Sequence, residues 1–168
     1  MSIHNCCSSA NRLFPDMNLK HIEMMKVALS EAQRALKKGE VPIGAVLINA
    51  NNRVLAAAHN QTITLNDPTA HAEVLAMRSA AAKMGNYRLL NTILYVTVEP
   101  CPMCMGAAIH ARVSQVVYGT RDPRWGAAGS LYNFATDRRF NHQPEIIEGI
   151  CQVDCKSLIQ EFFRQKRN

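Results

Sequence analysis

Nowhere in its 168 residues does the chain carry a run of about 18 apolar residues, so a membrane-spanning helix is not expected. The first ten residues hold His4, Asn5, Cys6 and Cys7 where a secretory leader would show a basic patch followed by an apolar block. A cytoplasmic protein is the expectation. Internal repeats and low-complexity tracts are missing as well, which argues against a repeat array. What remains is one globular unit, and 48% hydrophobic residues suffice for one core. Residues 1–18 show no periodicity and read as a flexible extension; residues 19–168 read as a single domain.

Lys and Arg number 19 against 13 Asp and Glu, a formal charge of +6. A polyanionic partner fits this excess, and so does a merely solvated basic surface. Arg164, Lys166 and Arg167 crowd the C-terminus, while Arg121, Arg124, Arg138 and Arg139 fall in one loop-rich segment. The six cysteines form three close pairs. Nothing else suggests secretion, so a disulfide framework is not expected. Cys6 and Cys7 fall in the extension, Cys151 and Cys155 read as apolar fillers, and only Cys101 and Cys104 have the spacing of a ligand pair.

Hydrophobic periodicity predicts helices over residues 19–38, 70–84, 102–111 and 154–166. Gly39 stops the first, and Pro102 suits the first turn of the third. Strands are predicted over residues 43–48, 53–58, 93–98, 113–118 and 145–148. Asn49, Asn51 and Asn52 mark the turn between the first two. Residues 93–98 lack the polar alternation of a half-exposed strand and read as central. A helix between residues 93–98 and 113–118 implies parallel neighbours. Residues 60–69 read as irregular loop, and residues 119–144 as loop with a short helical turn near 131–134. The expected fold is α/β, with three layers and a central mixed five-stranded sheet between helices.

The chemistry concentrates in His71-Ala72-Glu73 and Pro100-Cys101-Pro102-Met103-Cys104, with Asn60 at the end of the second strand. Cys101 and Cys104 lie three apart at a helix start, so both sulfurs can face one side. The free amides of that first turn favour their thiolates. His71, also at a helix start, supplies a nitrogen. One imidazole and two thiolates hold a tetrahedral zinc with one position open, unlike a closed structural site. Water at such a position is acidified to a usable nucleophile, and Glu73, two residues after a ligand, is placed to move its proton. A C-x-x-C alone could be a redox pair, but that reading leaves His71 and Glu73 without a role. H-x-E followed by P-C-x-x-C is the zinc-deaminase signature.

From about residue 19 to 167 the chain closely resembles the bacterial transfer RNA adenosine deaminases. The likeness rests on Val41-Pro42-Ile43-Gly44-Ala45-Val46, Asn66-Asp67-Pro68-Thr69-Ala70-His71-Ala72-Glu73, Asn86-Tyr87-Arg88-Leu89 and Leu94-Tyr95-Val96-Thr97-Val98-Glu99-Pro100-Cys101. Gly126-Ala127-Ala128-Gly129-Ser130 and Phe162-Phe163-Arg164 add to it. The resemblance implies a cytidine-deaminase-like fold, a homodimer, one Zn2+ per subunit, and conversion of the wobble adenosine of a tRNA anticodon stem-loop to inosine. It implies that Asn60 hydrogen-bonds the purine and that Ala72 with Val41, Pro42, Ile43 and Gly44 lines the pocket. Arg121, Asp122, Phe163, Arg164, Lys166 and Arg167 would hold flanking nucleotides. Trp125 and Tyr132 make residues 119–141 more aromatic than the family pattern, suiting either base stacking or local packing. Two rival readings stand beside this one. The first is a deaminase of a free base such as guanine or cytosine; the second is a catalytically inactive RNA-binding module with a structural zinc, in which Glu73 would have no use.

Overall fold

The computed structural model describes residues 15–167, with side chains from residue 18 onward. The strands are β1 (Gly44–Asn49), β2 (Val54–His59), β3 (Thr92–Val98), β4 (Gln115–Thr120) and β5 (Glu145–Glu148), joined in the order β2-β1-β3-β4-β5. β3 sits in the middle, antiparallel to β1 and parallel to β4, and β5 extends the parallel half. The lack of polar alternation in β3 follows from burial on both faces. The expected mixed five-stranded sheet is what the chain forms.

Two layers of helix cover the sheet. Helices α3 (Ala72–Met84) and α4 (Pro102–His110) share one core with Leu47, Leu94, Val96 and Val116. Helices α1 (Pro15–Lys37) and α5 (Gln152–Arg167) close the opposite face around Val46, Ile48, Tyr95 and Val117. Cys155 is buried in that second core and Cys151 packs against it, as apolar fillers do. Among the described residues no helix is long and apolar enough to cross a membrane.

The differences from expectation have local causes. Helix α1 already includes Pro15, inside the segment read as an extension. Cys6 and Cys7 lie outside the described residues. The fully buried stripe of α1 is Met25, Ala28, Ala32 and Ala35, while Ile22, Leu29 and Leu36 are half-buried. Alanines let the helix come close to β1: a Cβ on Gly44 would lie 2.0 Å from the Ala28 carbonyl oxygen. The absence of a side chain at Gly44 is therefore a packing requirement of α1.

Within the segment read as irregular, one short turn of helix forms, α2 (Thr62–Leu65). No helical turn occurs at residues 131–134; Ala128 and Asn133 form an antiparallel bridge there instead. The amides of Leu131 and Tyr132 both donate to the Gly126 carbonyl, folding the segment back on itself. Helix α5 starts at Gln152, two residues earlier than its apolar pattern indicates, after Cys151 at φ +52°.

Candidate metal centre and its supporting carboxylates

Two helix starts converge beside the end of β3. His71 is the N-cap of α3 and Cys101 the N-cap of α4, both extended in backbone, with Cys104 one turn into α4. β3 runs straight into Pro100-Cys101, and Pro102 opens the helix without wasting an amide. The His71 Nδ1 lies 3.7 Å from the Cys101 sulfur and 3.5 Å from that of Cys104. All three donor atoms fall within 4.8 Å of one another. Tetrahedral zinc, with bonds of about 2.3 Å to sulfur and about 2.0 Å to nitrogen, sets sulfur and nitrogen about 3.6 Å apart. The side chains already stand at that spacing.

Their protonation is coupled. Cys101 is pulled down to about 4 by the hydrogen bond it receives from Cys104, against the opposing effect of burial. Cys104 is pushed up in the same exchange, so the two sulfurs hold one proton between them. The Cys101 thiolate in turn raises His71, chiefly through their hydrogen bond. A nitrogen and two sulfurs, one already a thiolate, are the soft donor set that zinc takes.

Glu73 completes the arrangement. It is 3% exposed, in the first turn of α3, and burial pushes its carboxyl above the ordinary value. Its Oε2 has no hydrogen-bond partner among the described residues. A buried carboxylate oxygen without a partner is costly to keep, which makes Glu73 a candidate working group. Asn60, also buried, accepts the Ala72 amide hydrogen at 2.8 Å through Oδ1. That bond fixes which end of the amide is which and leaves Nδ2 as the donor for a ligand. The Asn60 amide donates to the Ile43 carbonyl at 3.1 Å, which brings the Val41 to Gly44 segment alongside.

The other expected contact residues are not gathered at the centre. Arg121 is bound at both ends of its guanidinium to Glu148, at 2.7 Å each, and the Tyr118 hydroxyl donates to the same carboxylate. Asp122 caps a turn by accepting the amides of Arg124 and Trp125. Phe163, Arg164, Lys166 and Arg167 are exposed on α5, in the layer opposite α3 and α4. Neighbouring Phe162 is the buried member of its pair and carries Lys166 over its ring.

Two residues with supporting roles went unread in the sequence. Glu40 is fully buried and accepts four hydrogen bonds, from the amides of Ile63 and Thr64 and the hydroxyls of Thr62 and Thr64, at 2.7–3.2 Å. It is aimed inward by the end of α1. The Gly39 amide bonds to Leu36 and the Glu40 amide to Ala35, a Schellman ending with Gly39 at φ +74°. Glu40 thereby pins α2, in the stretch that connects Asn60 to His71. Glu99, 3% exposed, accepts the amides of Asp122, Ala128 and Ser130 at 3.0 Å and the Ser130 hydroxyl. Gly126 is required there, because a Cβ would lie 2.4 Å from the Glu99 carboxyl. Each of these carboxylates directly precedes a site segment, in Glu40-Val41-Pro42 and Glu99-Pro100-Cys101. That shared position is the one signal the sequence carries.

Glu40 makes a prediction about pH. Burial alone would raise its carboxyl, but the bonds from Thr64, Ile63 and Thr62 outweigh this and hold it below the ordinary value. A depressed folded-state pKa contributes stability that is complete above the unfolded value of about 4.3 and fades as the pH falls through the folded one. Glu40→Gln should therefore lower Tm most near neutral pH, with the gap to wild type closing below about pH 4. Melting curves across pH check this; a gap constant with pH would contradict it.

Comparison with known proteins agrees with the geometry. Residues 19–120 match the family model described as the cytidine and deoxycytidylate deaminase zinc-binding region. The tRNA-specific adenosine deaminase of Bacillus subtilis (strain 168) is 46% identical, over 85% of this chain and 88% of that one. A solved structure from work on A-to-I editing by tRNA:A34 deaminases at the wobble position of transfer RNA superposes with a TM-score of 0.79. It is 40% identical and covers 81% of this chain and 98% of its own. The guanine deaminase of Bacillus subtilis aligns over 60% of this chain and 64% of its own, with 41% identity and a TM-score of 0.57. The chain belongs to the cytidine and deoxycytidylate deaminase family, on the branch of the tRNA-specific adenosine deaminases.

Proposed function

We propose that this protein hydrolytically deaminates the wobble adenosine of a tRNA anticodon loop to inosine. The observation that carries the reading is the buried, unpartnered Glu73 oxygen beside a His71, Cys101 and Cys104 cluster at zinc-ligand spacing. Its transfer RNA substrate puts the reaction in the cytoplasm, and one zinc per subunit is the cofactor. The adenine swings out of a single-stranded loop, where stacking is all that is lost. Asn60 Nδ2 and the segment Val41, Pro42, Ile43, Gly44, with the backbone at Ala72, hold the ring. Zinc supplies Lewis acidity there, lowering the pKa of water toward neutral.

Glu73 does the proton work. It takes the proton of the water that adds to C6 and delivers it to ring N1. It then carries the proton of the new hydroxyl to the amino group, which leaves as ammonia. Burial raises the Glu73 carboxyl above the ordinary value, which favours its taking up a proton in the course of the reaction. Arg121, Asp122, Phe163, Arg164, Lys166 and Arg167 are proposed contacts for the rest of the loop. For Arg121 this means sharing its guanidinium with Glu148. The subunit is proposed to pair with a second copy. A mostly apolar hollow between α3 and α4, lined by Val74, Met77, Tyr87 and Ala107 together with Arg78 and His110, supports this. Sedimentation should give twice the 18.7 kDa chain mass; a monomer at micromolar concentration would contradict the pairing.

A second reading, deamination of free guanine, is favoured by the partial likeness to guanine deaminase. Ammonia release separates the two. With zinc-loaded protein, the anticodon stem-loop should yield ammonia while free guanine, cytosine and adenosine do not. Release from guanine alone would overturn the RNA assignment and keep the zinc chemistry.

A further inference from the structure

The aromatic residues in the segment between β4 and β5 divide into two kinds. Tyr132 stands against Phe134 at 5.9 Å between ring centroids, and Phe134 against Phe140 at 5.4 Å, so these rings pack on one another. Trp125 has no ring partner among the described residues and is 65% exposed. Burying an indole can gain several kilocalories per mole, and this one is left in solvent. Its backbone is nonetheless tightly held. Asp122 accepts its amide hydrogen, the next residue is clamped between Glu99 and the Asp122 carbonyl, and the Ala127 amide donates to the Pro100 carbonyl at 2.9 Å. Pro100 adjoins the ligand Cys101. The indole is therefore presented from a fixed turn two residues from a direct bond to the metal-binding segment.

Charge points to the kind of ligand. Of the arginines in this segment, Arg121 is paired with Glu148 and Arg139 with Asp137. Arg124, next to the indole, and Arg138 form no ion pair among the described residues and remain available to phosphate. An exposed, rigidly mounted aromatic face beside an uncommitted cation is the elementary unit of single-stranded nucleic acid binding.

We propose that Trp125 is a stacking platform for a nucleobase flanking the adenosine in the anticodon loop, with Arg124 contacting the adjoining phosphate. The inference rests on the function proposed above and assigns to Trp125 part of the selection for RNA over free nucleosides. Base–aromatic stacking of the usual strength corresponds to about 5- to 150-fold in affinity.

Trp125 is the only tryptophan in the chain, so its fluorescence reports this position alone. The full-length Glu73→Ala protein, zinc-loaded, is titrated with an anticodon stem-loop while binding is followed by anisotropy of the labelled RNA. Tryptophan emission should be quenched in step with binding. Trp125→Ala should lower kcat/KM on the stem-loop by about 5- to 150-fold, mainly through KM, while Trp125→Phe keeps most of the activity and Tm stays unchanged. Unchanged emission at saturating RNA, or Trp125→Ala matching Trp125→Phe, would overturn the platform. If the wild-type protein still forms inosine in that case, only the platform falls. If it neither binds nor deaminates the stem-loop, the proposed function falls and the platform with it.

Discussion

Glu73→Gln is expected to cut turnover by at least about 10²- to 10⁴-fold, the range for loss of a general acid–base, while the metal content of the purified protein stays at the wild-type value. The substitution keeps the volume of the side chain, so a loss of activity cannot be blamed on collapse of the first turn of α3. The carboxylate holds no structural bond through Oε2, and the three donor atoms of His71, Cys101 and Cys104 do not include it. Its removal should therefore leave the cluster intact. Elemental analysis alongside single-turnover kinetics checks this. A variant that loses its metal would show that Glu73 shapes the cluster, and near-normal turnover would show that the proton moves by another route.

Cys101→Ala is expected to remove both metal and activity. Among the described residues the cluster has three protein donors, and Cys101 is the one whose thiol is pulled down, to about 4. Two remaining donors cannot compete with a chelator. At metal concentrations about 100-fold above Kd, binding adds about 2.7 kcal/mol to the wild-type stability. For a domain of this size that is a Tm shift of about 5–10 °C. Treating the wild-type protein with a chelator should bring its Tm down toward that of Cys101→Ala, and the variant should show no response of its own. Full metal content in Cys101→Ala would mean that the coordination is wrong, as would a wild-type Tm insensitive to chelation.

What could be read from the sequence is what depends on neighbours a few residues away. Cys101 and Cys104 share a helical turn, His71 and Glu73 share another, and Gly39 and Pro102 mark helix ends by local backbone chemistry. The central position of β3 followed from its lack of polar alternation. The supporting carboxylates were hidden because their partners lie far along the chain: Glu40 bonds to residues 22–24 positions away and Glu99 to residues 23–31 away. Nothing in a run such as Lys38-Gly39-Glu40 distinguishes a buried glutamate with four hydrogen bonds from a solvated one.

The same limit explains the other differences. A periodic pattern identified the buried side of α1 but not its alanine stripe, because the close approach to Gly44 is a property of the packed pair. The sequence places Arg121 in a loop-rich segment but does not show its pairing with Glu148, which sits in the edge strand 27 positions on. Trp125 and Tyr132 look alike in sequence; both are exposed, and only the fold shows that Tyr132 has a ring partner in Phe134 while Trp125 has none among the described residues.

The most direct measurement is position-resolved detection of inosine in a full transfer RNA that carries adenosine at the wobble position, after incubation with the zinc-loaded protein. Inosine is expected at that position alone, with every other adenosine unchanged and no product from the Glu73→Gln variant. Unaltered transfer RNA, in the presence of a preparation that deaminates a free base, would contradict it.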